Sequence, residues 1–111
     1  MDTIYAPDGR AAAATQLALY VELDAKPDKI DEVIAFLESA QNLAQAEEGT
    51  VSWYALRIGE TRFAIFDTFS DESDREAHLN GDVAKALMSK ARDLLTDIPM
   101  IHKCEVLAAK I

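Results

Sequence analysis

The chain has 111 residues, 50% of them hydrophobic and 28% charged, and carries a formal net charge of −9 from 11 Lys and Arg against 20 Asp and Glu. That length supports one core of modest size. The acidic balance argues against a nucleic-acid partner, which needs clustered positive charge, and no run approaches the ~18 apolar residues that cross a bilayer.

Residues 1–14, with Pro7, Asp8, Gly9 and four successive alanines, have no usable periodicity and are expected to form a flexible N-terminal arm, leaving 15–111 as a single domain. The opening MDTIYAPDGRAAAATQ has neither a basic segment nor a long apolar stretch, unlike a secretory signal, so a cytoplasmic location is the expectation. From Thr15 to Asp24 the pattern changes. Leu17, Leu19, Val21 and Leu23 alternate with Gln16, Ala18, Tyr20 and Glu22, which is the period of a strand. Pro27 suits the first turn of a helix, with Asp28, Asp31 and Glu32 near its positive end. Ile30, Val33, Ile34 and Leu37 recur at helical spacing, the pattern continues to Ala44, and Gly49 is the expected C-terminal stop.

Thr50–Ile58 reads as a second strand and Arg62–Phe69 as a third, joined by so short a turn that the pair must be an antiparallel hairpin. A helical region follows from Asp71 to about Leu95, broken at Asn80-Gly81, with Asp82 placed to cap its second segment. Ile98–Ile111 closes the chain as a fourth strand, in which Cys104, the single cysteine, reads as a buried inert thiol.

The order β-α-β-β-α-β predicts an α+β, ferredoxin-like fold: a four-stranded antiparallel sheet with its helices on one face. The other face should then be polar in a monomer, yet Ala18, Tyr20, Ala64 and Phe66 fall on it. A sheet apolar on both faces needs a second cover, and a homodimer packed sheet to sheet is the economical one.

Few residues offer chemistry. His78 has Asp74 and Asp82 four positions to either side, although Gly81 interrupts the path to Asp82. It is either a general base facing a pocket between helix and sheet, or an exposed helix histidine near a favourable dipole end. Asp67 stands mid-strand on the same face as Ile65 and Phe69, where an unpaired carboxylate is costly. Either Arg57 or Arg62 balances it, or it is a pocket acid. Trp53, Tyr54, Phe63, Phe66 and Phe69 are core residues or the wall of a pocket for a flat apolar ligand. His102 has no partner at ligand spacing, so no metal site is expected, and no Gly-rich phosphate loop or dinucleotide fingerprint occurs.

The segments GTVSWYALR, RFAIFDTFSDE and AHLNGDVAKAL together resemble the antibiotic biosynthesis monooxygenase family, small dimeric α+β barrel proteins, over about residues 17–109. Phe66, Asp67, Phe69, Asp71, His78 and Leu79 occupy the positions of that family's motif. Glu is commoner in the family where Asp67 stands, Trp where Phe69 stands, and Tyr where Trp53 stands. The haem-degrading branch uses an Asn, a Trp and a His, and the first two have no counterpart here. The resemblance implies a homodimer acting on a small aromatic quinol or polyphenol with O2, without metal or flavin. It implies His78 as base or proton shuttle, Asp67 as its orienter, and Tyr20, Trp53, Phe66 and Phe69 as substrate-binding residues. A non-catalytic ligand-binding protein and a stress-response protein with a merely structural core are the alternatives.

Overall fold

The computed structural model describes residues 15–111, so the arm expected over 1–14 lies outside the described residues. The elements run β1 (Leu17–Asp24), α1 (Ile30–Gln45), β2 (Thr50–Arg57), β3 (Arg62–Phe69), α2 (Glu72–Leu79), α3 (Asp82–Leu94) and β4 (Met100–Glu105). The four strands form one antiparallel sheet in the order β2-β3-β1-β4, the expected ferredoxin-like α+β arrangement.

The alternation in β1 and β3 assigns the faces. Phe63, Ile65, Asp67 and Phe69 of β3 stand opposite Leu23, Val21, Leu19 and Leu17 of β1 in turn, so all share one face. Phe63, Ile65, Val21 and Leu23 join Val33 and Leu37 of α1 and Leu87 and Leu94 of α3 in one buried cluster. The helices therefore cover this side. On the other side lie Ala18 and Tyr20 of β1, Ala64 and Phe66 of β3, Tyr54 and Leu56 of β2, and Met100 of β4. Tyr54 stacks on Phe66 with ring centroids 6.3 Å apart, and Tyr54, Leu56 and Met100 stay exposed.

Several element ends differ from the sequence reading. The first helix starts at Ile30, not Pro27, because Ala25 and Lys26 still donate backbone hydrogen bonds to Thr61 and Leu94. Pro27 consequently sits in a turn that Lys29 N closes onto Lys26 O at 2.9 Å. That helix ends at Gln45 with Ala46 as its cap in right-handed helical conformation, so Gly49 is not its stop. Gly49 matters for room instead, since a Cβ there would lie 2.6 Å from Asp74 Oδ1. Gly81, in extended conformation, occupies the cap position of α3, and Asp82 is its first helical residue with no capping side-chain bond. Asp71 does cap α2, accepting from the Asp74 backbone N–H at 2.9 Å. The last strand covers only Met100–Glu105, and Cys104 on that edge is half-buried rather than sealed.

Arg75 of α2 ties the far end of the sheet together. Its buried guanidinium donates from Nη1 to Ala18 O at 3.2 Å and Cys104 O at 3.0 Å, bridging β1 and β4, and Nη2 donates to Glu72. The guanidinium thereby fixes α2 over the sheet.

Phe63 is 2% exposed at the centre of the core. Phe63→Ala should lower the free energy of urea unfolding by about 3–5 kcal/mol through lost burial and the cavity left behind. Met88→Ala, at an exposed position, should stay within about 0.5 kcal/mol of the parent.

Candidate active site

The candidate site is built on a carboxylate that the strand buries. Asp67 takes the helix-facing side of β3 by alternation and is 0% exposed. Its partner is neither Arg57 nor Arg62. Arg57 donates to the Gly59 and Glu60 carbonyls, and Arg62 pairs with Asp24 at 2.9 Å. Instead His78, near the end of α2 and 7% exposed, brings Nε2 to 2.9 Å from Asp67 Oδ2. The ring N–H is not aligned on that oxygen, and both Asp67 oxygens lack a hydrogen-bond partner among the described residues. The close approach of the ring nitrogen and the opposite charges together hold this contact.

The other ring nitrogen is held more tightly. His78 Nδ1 hydrogen-bonds Glu47 Oε1 at 2.5 Å, and the Thr50 hydroxyl donates to the same oxygen at 2.8 Å. Glu47 lies in the α1–β2 connection, 31 positions before His78, where no helix or strand spacing points to it. Neither Asp74 nor Asp82 pairs with the histidine. Asp74 accepts from Ser70 Oγ at 3.1 Å instead. The exposed-histidine alternative is overturned by the burial, and the Phe69 ring packs 5.2 Å from the imidazole. Gly81 makes room for the clamp: a Cβ there would meet Glu47 Oε2 at 2.9 Å and Ala77 O at 3.1 Å.

Charge follows geometry. Burial alone would lower the imidazole pKa, but Asp67 and then Glu47 outweigh it, so His78 titrates above its ordinary value. Burial is the largest influence on Asp67 and lifts its carboxyl above the usual range, with His78 opposing and Glu47 adding to the rise. A carboxylate at each nitrogen favours the doubly protonated ring, which has no free lone pair.

One cavity lies beside Trp53 and a second meets the cluster at Glu47 and His78, while Asp67 lines neither. A cleft of about 560 Å³ runs between α1 and β2, with Ile34, Leu37, Trp53, Tyr54 and Phe63 among its walls. A second cavity of about 260 Å³ opens at the α1–β2 connection and the α2–α3 junction, where Glu47 and His78 meet it. Trp53 pairs across the strands with Asp67, so the indole and the carboxylate share the helix-facing side. Of the expected pocket wall, Trp53 and Phe69 thus join Asp67 and His78. Tyr20 and Phe66 do not, because strand alternation turns both to the opposite face, where Tyr20 lies beside His102 with centroids 6.0 Å apart. Among the described residues no cluster of His, Cys, Asp and Glu has metal-binding geometry.

The antibiotic biosynthesis monooxygenase family profile matches residues 17–90, which include every residue of this cluster. The chain belongs to the antibiotic biosynthesis monooxygenase family. A crystal structure of a Nitrosomonas europaea protein of unknown function is 50% identical, with a TM-score of 0.87 over 89% of this chain and 96% of that one. Two other solved structures, from Nitrosomonas europaea and Chloroflexus aurantiacus, carry a provisional assignment as antibiotic biosynthesis monooxygenases. Each is 16% identical, with TM-scores of 0.74 and 0.69 over 82% and 87% of this chain and 98% of each partner, a likeness of fold alone. No curated protein matches the chain. No helix among the described residues is long and apolar enough to cross a membrane.

For this monooxygenase-family protein the clamp has a pH signature. A raised His78 pKa means the native state holds that proton more tightly than the unfolded chain does. The stabilisation is complete below about pH 6.5 and is lost as pH rises through the native value, with a slope of at most about 1.4 kcal/mol per pH unit. Asp67 acts with the same sign in a lower window, from about pH 3.9 upwards. Unfolding free energy should therefore fall as pH rises above about 6.5, and His78→Gln should flatten that fall. A parent stability that is level or rising there would contradict the charged clamp.

Proposed function

We propose that the protein is a cofactor-independent monooxygenase that acts on a small quinol- or polyphenol-type aromatic with O2, working as a homodimer. The observation that carries this reading is the apolar α1–β2 cleft, whose Trp53 wall stands directly across the strands from a buried carboxylate. A volume of about 560 Å³ suits a bicyclic or tricyclic aromatic.

The chemistry needs a base and a dry site. Deprotonating a hydroxylated aromatic makes the ring electron-rich enough to reduce O2 directly. A ring CH2 of the keto tautomer then becomes C=O, one oxygen atom entering the product and the other leaving as water with both hydrogens. The substrate supplies all four electrons, so no external reductant is consumed. Asp67 is the better acceptor for the first proton, because burial makes its carboxylate more basic and leaves Oδ1 without a partner while His78 holds Oδ2. His78, with both nitrogens facing carboxylates, serves as its positioning residue and as the link towards Glu47 and the outer cavity. A non-catalytic ligand-binding role is the second reading. The same clamp favours it, since a doubly paired imidazole can be purely structural.

Dimerisation rests on the uncovered sheet face, where Tyr54, Leu56, Phe66 and Met100 form an apolar surface that the helices leave open. Sedimentation should give a dimer at micromolar concentration, and Leu56→Lys should shift it towards monomer. A parent that sediments as a monomer would refute this part.

Oxygen-electrode assays across a quinol panel test the activity. Turnover of at least one quinol is expected, with Asp67→Asn and His78→Ala each lowering it by ~10²-fold or more. Ligand binding without O2 consumption by any quinol would favour the second reading.

A further inference from the structure

A further cavity, of about 460 Å³, opens at the Asp24 end of β1, where the chain leaves β1 towards α1 and leaves α3 towards β4. The Asp67–His78 contact lies nearer the other end of that strand, since Asp67 pairs with Leu19. Backbone bonds stitch the two connections together. Ala25 bridges Leu95, Lys26 N donates to Leu94 O at 2.9 Å, and Thr96 N donates to Asp24 O at 2.9 Å. Apolar wall is supplied by Met88, Ala91, Leu95 and Ile98, and charge by Lys26, Arg92 and Asp97. Nothing in the chain covers the wall, for Ile98 is 81% and Met88 53% exposed. The charges are also unmatched. Arg57, Arg62 and Arg75 each donate to a carbonyl or a carboxylate, whereas the Arg92 guanidinium makes no hydrogen bond or ion pair among the described residues. Lys26 Nζ gives one N–H to Arg92 O at 2.8 Å and has two left. That bond also removes an obstacle to an anion. The end of a helix repels negative charge through its free carbonyls, but Ala91 O, Arg92 O and Leu94 O of α3 all have donors.

We propose that this cavity binds a small amphipathic monoanion, an aliphatic carboxylate whose head lies on Lys26 and Arg92 and whose chain covers Met88, Leu95 and Ile98. The chemistry of the wall selects each part of the guest. A guanidinium fork matches a carboxylate with two parallel hydrogen bonds, and the Lys26 ammonium adds a point charge beside it. Two cations against the Asp97 carboxylate leave one positive charge in excess, so a guest with a second negative charge would meet Asp97 unfavourably. An inorganic anion would leave the apolar wall wet, and an alcohol would leave the cations unmatched. The volume and the mixture of apolar wall with a few convergent polar groups are those of a small-ligand pocket. This cavity shares no lining residue with the α1–β2 cleft, so the site stands independently of the oxygenase reading.

Titration of the full-length protein with octanoate, 1-octanol and octanedioate tests each part. Calorimetry gives the affinities, and the carbon-13 methyl signal of Met88, assigned by comparison with Met88→Leu, gives the place. Octanoate should bind ~10-fold or more tightly than either analogue, the scale of a hydrogen bond to a charged group, and should move the Met88 signal. Arg92→Gln should weaken octanoate by a similar factor while leaving 1-octanol within about 2-fold. Ile98→Ser should weaken both. Octanoate that binds no more tightly than 1-octanol, that fails to bind, or that binds Arg92→Gln as well as the parent would overturn the proposal. So would octanoate that changes Trp53 fluorescence and leaves the Met88 methyl in place, since it would then lie in the α1–β2 cleft. Octanedioate binding as tightly as octanoate would refute the selection of a single charge.

Discussion

A carboxylate in the middle of a central strand, wholly shielded from water, is the constraint on which the site depends. Asp67 cannot stay ionised there unaided. His78 answers it from α2 at 2.9 Å, and Glu47 answers His78 from the α1–β2 connection. Three elements that share no sequence proximity are thereby locked at one point of the fold. Two carboxylates around one imidazolium leave an excess negative charge, and burial pushes that strain onto Asp67, whose carboxyl rises above its usual range. The two glycines nearby follow from the same demand for close approach. Gly81 leaves space for Glu47, and Gly49 leaves space for Asp74.

Much of the fold was legible because it depends on local periodicity. The alternation in QLALYVEL and RFAIFDTF assigned the two sheet faces, and the short link between β2 and β3 dictated their antiparallel hairpin. The helix ends were less legible. Pro27 and Gly49 are good terminal residues by chemistry, but Ala25 and Lys26 remain bonded to Thr61 and Leu94, and Ala46 stops α1 unaided. Those are tertiary facts with no local signature. The partner of Asp67 was hidden for the same reason, since arginines on the hairpin were near in sequence while His78 was near only in space. Glu47 left one trace: the glycine three residues after His78, which served there as a break and also as a gap for a carboxylate. Tyr20 and Phe66 teach the opposite lesson. Their alternation already turned them away from Asp67, and grouping them by family motif overrode a periodicity that the structure bears out.

The sheet divides the molecule's tasks between its faces. Towards the helices it presents the core, the Asp67–His78–Glu47 cluster and the cleft behind Trp53. Towards the other side it presents Tyr54, Leu56, Phe66 and Met100, an apolar surface with no helix to cover it. Under the proposed homodimer, β2 and β3 carry both surfaces at once. A second copy packed on the outer side would stiffen the strands that hold Trp53 and Asp67. Stiffening matters at this point because β2 is an edge strand, paired on one side only.

The protonation state of the His78 ring is the most direct measure of this account. Nitrogen-15 NMR of the imidazole, assigned by comparison with His78→Gln, reads Nδ1 and Nε2 separately. The account predicts that both His78 nitrogens keep their protons to a higher pH than in a free histidine of pKa about 6.5. A His78 ring that loses a proton at or below the pH of a free histidine would contradict the buried carboxylate–imidazolium–carboxylate arrangement on which the site is built.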